Sequence, residues 1–299
     1  MKNNFTIKAA IPLGLIVAGA MASLSIDQNW NLTLVSFIIF VSTAGYIFLL
    51  ERLIPKKLEW KSTRSSLSID LKYFASTAIF DSLGRALALT LILNIQSFFD
   101  LNQTWNQHLP FWINFALANL IGELLPYFYH RVSHVGNSRS LISLALWKIH
   151  SIHHLPTGLN WFKTNWMHPV NMLLNTFLKI VPLLLLGFHE DVIFGVGVLH
   201  VVIAYLSHAN ILTRRSLLDY LIVTPHLHHF HHSVILDEAK NFGNILPFWD
   251  LVFGSYFNSD TSVKEVGVVK ESNFIYPSED EYLKQLRFPA TIVKGCCKD

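Results

Sequence analysis

The chain has 299 residues, 52% of them hydrophobic and 14% charged, with a mean hydropathy of +0.38; soluble globular chains carry roughly 25% charged residues, so a freely soluble enzyme does not fit. The formal charge of +3 is too small for a nucleic-acid binder, and the only two cysteines, the adjacent Cys296 and Cys297, provide neither a disulfide framework nor a cysteine zinc site. Fifteen histidines are the outlier, because a buried imidazole costs free energy unless it has a partner or a metal.

In chain order, apolar stretches at 9–26, 32–50, 73–98 and 110–129 each approach the ~20 residues that cross a bilayer as helix, and predict four spans. The first also has the marks of a secretory signal, with Lys2 and Lys8 before it and Ala20-Met21-Ala22 resembling a cleavage site; the remaining topology is the same whether or not it is removed. Within the third, Asp81 and Arg85 lie four apart on one helix face and are expected to neutralise each other in a structural role. Two shorter stretches, 170–186 and 191–206, are joined by Gly187-Phe188-His189-Glu190 and form a hairpin that spans or re-enters. With the N-terminus in the cytoplasm, 21 of the 23 Lys and Arg fall inside, and only Arg85 and Lys179 lie within apolar stretches. The expected architecture is an all-α integral membrane helical bundle with a cytoplasmic, histidine-rich cap. It divides into N-terminal transmembrane segments (1–51), a central histidine-bearing unit with its own spans (52–257) and a polar cytoplasmic tail (258–299).

The histidines recur at helical spacing. His130 and His134 are four apart at the cytoplasmic end of the fourth stretch, so both imidazoles can face one ion. His150, His153 and His154 follow in an i, i+3, i+4 pattern, which predicts three ligands converging on one face. His228, His231 and His232 repeat that pattern, and His208 closes the hairpin on the same side. Nine candidate ligands exceed the four that one tetrahedral ion needs, and match two metal ions with open positions. His108, His189 and His200 read as structural. His226 and His229 fall off the ligating face, so surface positions or support of the ligands are expected of them. Glu123, two turns before His130, either orients a ligating imidazole or pairs with another helix; His168 either supports a ligand or packs. His229, Asn210 beside His208, and Asp250 complete the supporting candidates.

At these residues the chain resembles the fatty acid hydroxylase superfamily, in particular its sterol desaturase branch. The resemblance runs from Glu51-Arg52-Leu53-Ile54-Pro55 through Tyr129-His130-Arg131 and Leu146-Trp147-Lys148-Ile149-His150. It continues through Asn241-Phe242-Gly243 to Phe248-Trp249-Asp250-Leu251-Val252-Phe253-Gly254, about two hundred residues in all. The resemblance implies a membrane non-haem di-iron oxygenase using O2, with the nine histidines above as ligands beside a lipid-accessible cavity. Some members carry one more histidine, four residues before the position of His208; here that residue is Ala204, which implies a nine-histidine site or a shell completed by water or another side chain. Nothing resembles a fused cytochrome b5 domain, so electrons are expected from a separate protein: a cytochrome b5-like carrier, a ferredoxin or a reductase.

The chemistry fits that inventory, because an unactivated C–H bond offers no acid or leaving group and the metals must supply the oxidant. The expected substrate is a lipid, hydroxylated or desaturated in a bacterial inner membrane or an endoplasmic reticulum. The competing reading is a membrane metal transporter, or a metal-binding protein without turnover. A transporter predicts ionisable residues along a path through the spans, where Glu123, Asp81 and Arg85 are the candidates.

Overall fold

A computed structural model describes residues 4–99, 106, 108–135, 140–269 and 274–291. Lys2, Arg139, Lys270, Lys294, Cys296, Cys297 and Lys298 lie outside the described residues. Among the described residues the regular structure is helical, and extended pairing is limited to two isolated bridges, Pro55 with Ile211 and Ser233 with Val266.

Two N-terminal helices, α1 (Asn4–Asp27) and α2 (Leu32–Leu53), precede the long α3 (Arg64–Phe99). The 36 residues of α3 make a rod of about 54 Å, longer than the ~30 Å hydrocarbon layer. After α4 (Phe111–Ser133) and α5 (Leu141–His154), a hairpin pairs α6 (Pro169–Leu185) with α7 (Glu190–His208). Gly187 turns that hairpin at φ +69°, a conformation that favours glycine. Three short helices follow, α8 (Pro225–His231), α9 (Phe248–Val252) and α10 (Tyr282–Arg287).

Four helices among the described residues are long and apolar enough to cross a membrane: α1, α2, α3 and α7. The stretch at 110–129, expected as the fourth span, does form α4, but α4 is not among these four. Asn114, Asn119 and Glu123 make it less apolar, and all three are turned inward and buried. The stretch at 191–206, expected to be slightly short, meets the mark as α7, whereas the 17-residue α6 falls short by length. Large apolar side chains such as Ile16, Val17, Phe37, Ile79 and Leu93 stay exposed on α1 to α3, the pattern of helices bathed in lipid.

The interior is packed in two directions. Ile39 and Ile47 of α2 meet Val202, Ile203 and Leu206 of α7 in one apolar cluster with α1. On the other side α3 lies against α6 at backbone distance: a Cβ on Gly84 would come within 2.9 Å of the Leu173 carbonyl oxygen. Polar ties then fix the loops at the end where α2, α4 and α7 finish. The buried Glu51 carboxylate accepts from the backbone N–H groups of Trp161 and Asn210, each at 2.8 Å. Asn210 in turn clasps the backbone of Lys57 from both sides, at 3.0 and 2.7 Å.

Helix starts at this end follow ordinary capping rules. The Ser140 hydroxyl accepts from Ser143 N–H to open α5, and Thr224 caps α8 with Pro225 in its first turn. His168 caps α6, with Nδ1 accepting from Val170 N–H at 3.2 Å. Part of the polar tail docks back onto the body: Tyr73 donates to Gln285 Oε1 at 2.6 Å, His168 Nε2 to the Leu286 carbonyl at 3.1 Å, and Lys148 to the Pro289 carbonyl at 3.1 Å.

Candidate metal centre

The ends of α4, α5, α7 and α8 bring all nine candidate histidines into two neighbouring groups. His130, His134, His150, His154 and His231 form one; His153, His208, His228 and His232 form the other. Within each, one nitrogen per residue lies within 4.8 Å of all the others. This partition corrects the expectation that each i, i+3, i+4 box serves a single ion. Residues four apart on a helix differ by about 40° in direction, whereas positions i+3 and i+4 differ by about 100°. The i, i+4 pair of each box therefore points to one group and the i+3 member to the other. From α5, His150 and His154 join the group of five while His153 joins the group of four; from α8, His228 and His232 join the four while His231 joins the five.

Four of the nine have their outer nitrogen held by a backbone carbonyl. His130 Nδ1 donates to the Phe242 carbonyl at 2.7 Å, His153 Nδ1 to the Trp166 carbonyl at 3.0 Å, His208 Nδ1 to the Ala204 carbonyl at 3.1 Å, and His231 Nδ1 to the Lys240 carbonyl at 2.9 Å. A carbonyl cannot donate, so in these four rings the proton sits on Nδ1 and Nε2 presents a lone pair. The Nε2 atoms of His130 and His231 are buried without a hydrogen-bond partner. Those of His153 and His208 face each other at 3.1 Å, and His228 Nε2 approaches His208 Nε2 at 2.9 Å. The two lone pairs of His153 and His208 repel at 3.1 Å unless a cation lies among them, so the donor set fits metal ions. His150 is fixed differently, with Nδ1 against Asn171 Oδ1 at 3.2 Å, an oxygen that also accepts from Tyr129 at 2.9 Å.

Burial keeps these rings neutral. It pushes His153 down to about 4, against the opposing effect of its bond to Trp166. Burial first, then the neighbouring imidazoles, hold His150, His154, His228 and His232 well below the usual imidazole range; His231 is lowered in the same way. Neutral imidazole is the ligating form.

The supporting candidates separate. Asp250 is completely buried and accepts from Phe242 N–H at 2.7 Å, Gly243 N–H at 2.8 Å and Ser255 Oγ–H at 2.6 Å. It thereby fixes the segment whose Phe242 carbonyl holds His130. Burial pushes its carboxyl up to about 6, opposed by these donors. Gly243 has no room for a side chain, since a Cβ would sit 2.2 Å from the Leu246 carbonyl oxygen.

Glu123 touches none of the nine histidines among the described contacts. It pairs with Lys179 of α6 at 3.1 Å and accepts from the backbone of Asn244 and Ile245, as the helix-pairing alternative anticipates. His168 caps a helix, and Asn210 braces the 54–57 loop. His229 is fully buried rather than at the surface, with Nδ1 2.8 Å from Lys56 Nζ and its ring edge-on to Trp60. His226 is likewise buried and donates to the Ser259 carbonyl at 2.8 Å. Asn171 and the four ring-holding carbonyls were not identifiable from the sequence; backbone carbonyls carry no residue signature, and Asn171 lies on α6, far from any histidine box.

A cavity of about 320 Å³ opens from the histidines into the bundle between α3, α6 and α7. His130, His150, His153, His208 and His228 line it, as do Phe74, Ala204 and Arg85. A small molecule there would reach both histidine groups.

Comparisons with known proteins point the same way. The fatty acid hydroxylase family profile matches residues 115–255, the segment from α4 to just beyond α9. The chain is 28% identical over 227 residues to the ornithine lipid hydroxylase OlsE of Rhizobium tropici, a match covering 74% of this chain and 66% of that protein, just under two thirds of its length. No solved structure matches the chain.

Proposed function

We propose that the chain, matched by the fatty acid hydroxylase family profile over residues 115–255 and similar to a lipid hydroxylase, is a membrane-bound non-haem di-iron oxygenase of that superfamily that hydroxylates a C–H bond of a lipid. The observation that carries this reading is the pair of Nε2 lone pairs of His153 and His208 turned on one another at 3.1 Å beside a cavity among membrane-crossing helices. His130, His134, His150, His154 and His231 would hold one iron, and His153, His208, His228 and His232 the other. Iron held there supplies the oxidising power: lipid, O2, two electrons and two protons are consumed, and hydroxylated lipid and water are formed.

The chain's own part is positional. Backbone carbonyls lock four rings with Nε2 inward, and Asn171 orients His150. The cavity places one carbon beside the centre and excludes bulk water. Desaturation of the lipid would begin with the same C–H cleavage and differ in the placement of a second hydrogen. The electrons are assigned to a separate donor of the cytochrome b5, ferredoxin or reductase type, and the loop charges favour a cytoplasmic centre. Because OlsE is named for hydroxylating an ornithine lipid, a lipid with an amino-acid head is a natural substrate class to test first.

The transporter alternative gains no support from the charges within the helices, which are paired with one another. Arg85 Nε bonds Asp81 at 2.8 Å and Lys179 bonds Glu123 at 3.1 Å, so they do not form a row of free ligands. The test is expression of the full chain in a lipid-rich bacterial host under 18O2, followed by mass spectrometry of the lipid extract. One 18O atom per product lipid, lost in His153→Ala, is expected. Absence of any oxygenated lipid from an iron-loaded chain supplied with a reductant would overturn the reading.

A further inference from the structure

The Asp81–Arg85 pair, read from the sequence as structural, lines the same cavity as the histidines. Arg85 uses only one edge of its guanidinium: Nε donates to Asp81 Oδ2 at 2.8 Å, and the other carboxylate oxygen accepts from Thr176 at 2.6 Å. Neither Nη1 nor Nη2 meets an acceptor among the described residues, and the side chain is 50% exposed. The pair is held in place by backbone packing, because Gly84, between the two residues, lets α3 approach α6 at Leu173 and Thr176. Along α7, the cavity wall runs from His208 back to His200, eight residues or about 12 Å of helix.

Charge decides what those free N–H groups can take. Asp81 already neutralises Arg85, and Glu123 neutralises Lys179 beside it. An anionic group docked here would add an uncompensated charge among membrane-crossing helices, which is costly. Bare hydrocarbon would leave all four Nη N–H groups of the guanidinium without acceptors, which is also costly. A neutral carbonyl oxygen, with two lone pairs, accepts from two of them without adding charge.

We propose that Arg85 is the substrate anchor of the cavity: it binds the carbonyl oxygen of an acyl ester or amide, so the substrate is an acylated lipid held by its linkage while another part of it reaches the histidines. This rests on the oxygenase reading for the identity of the bound molecule as substrate, but the binding itself can be read without turnover. The test uses the full chain in nanodiscs with two probes that differ only in the linkage carbonyl, 1-hexadecanoylglycerol and 1-O-hexadecylglycerol, with hexadecanoate as a charged third probe. Retained lipid is counted by native mass spectrometry.

A hydrogen bond to a charged donor predicts roughly tenfold preference for the ester over the ether in the wild type. Arg85→Met should bring the ratio to about one. Arg85→Lys should keep part of the preference, and the double variant Asp81→Asn/Arg85→Met controls for a stranded carboxylate by also giving a ratio near one. Parity in the wild type, a preference that survives in Arg85→Met and the double variant, or hexadecanoate displacing the ester would overturn the proposal. Metal content measured on the same samples separates the two readings: an ester preference in a chain that binds no iron retains the anchor and removes the oxygenase, and an iron-loaded chain without preference does the reverse.

Discussion

The group of five takes one i, i+4 pair from α4, one from α5 and a single histidine from α8; the group of four takes one such pair from α8, with His153 from α5 and His208 from α7. The two are nearly the same design. Where the group of five has a second i, i+4 pair, the group of four has His208 alone, and the residue one turn before it is Ala204, a cavity-lining position. Where a fifth nitrogen would stand, Ala204 leaves the cavity open. In the proposed enzyme the five-nitrogen side is the more closed, and the four-nitrogen side has the room for a reacting molecule.

Removing one ligand from each group breaks this comparison most severely. His153→Ala leaves three nitrogens in the group of four, so that ion is lost and lipid hydroxylation falls to background. His134→Ala leaves four in the group of five, so that ion is expected to stay bound, with a smaller loss of metal affinity than in His153→Ala. Metal analysis after dialysis against a graded chelator series reads both.

Acid should destabilise the metal-free fold in a defined window. His153 is held at about 4 in the fold, against an ordinary value of 6.5, so its folded value is depressed. The stability tied to its neutral form is complete above about 6.5 and is lost as the pH falls through about 4. The thermal midpoint of the metal-free chain should therefore be flat between about pH 8 and 7 and fall below about 6.5. A midpoint that falls on the alkaline side instead would contradict burial of the neutral ring.

Filling the missing position sharpens the comparison in the other direction. Ala204→His should keep the metal content and reduce hydroxylation on the order of a hundredfold by crowding the reacting molecule, as measured by product formation against iron per chain. Asp250→Asn is the mildest. It weakens the clamp on Phe242 and Gly243 and should cost about 1–3 kcal/mol of stability, visible as a lower thermal midpoint with metal still bound.

The sequence made the helical membrane class and the nine histidines legible, because apolar length and i, i+4 spacing are local properties. It did not reveal the partition, since a box read alone has one face. Only the packing of α5 and α8 between two groups shows that His153 and His231 cross over. The buried Asn114, Asn119 and Glu123 of α4 were not legible as an inward polar face, because three polar residues disappear in an average over twenty apolar ones. The ring-holding carbonyls of Trp166, Ala204, Lys240 and Phe242 depend on tertiary contacts that carry no side-chain signal. Arg85 was visible as half of an ion pair, but its unused N–H groups were not.

The most direct test of two distinct ion sites is the iron content of the purified full chain in wild type, His153→Ala and His134→Ala. About two, one and two irons per chain are expected, respectively. A wild type that binds a single ion, or equal losses in the two variants, would contradict it.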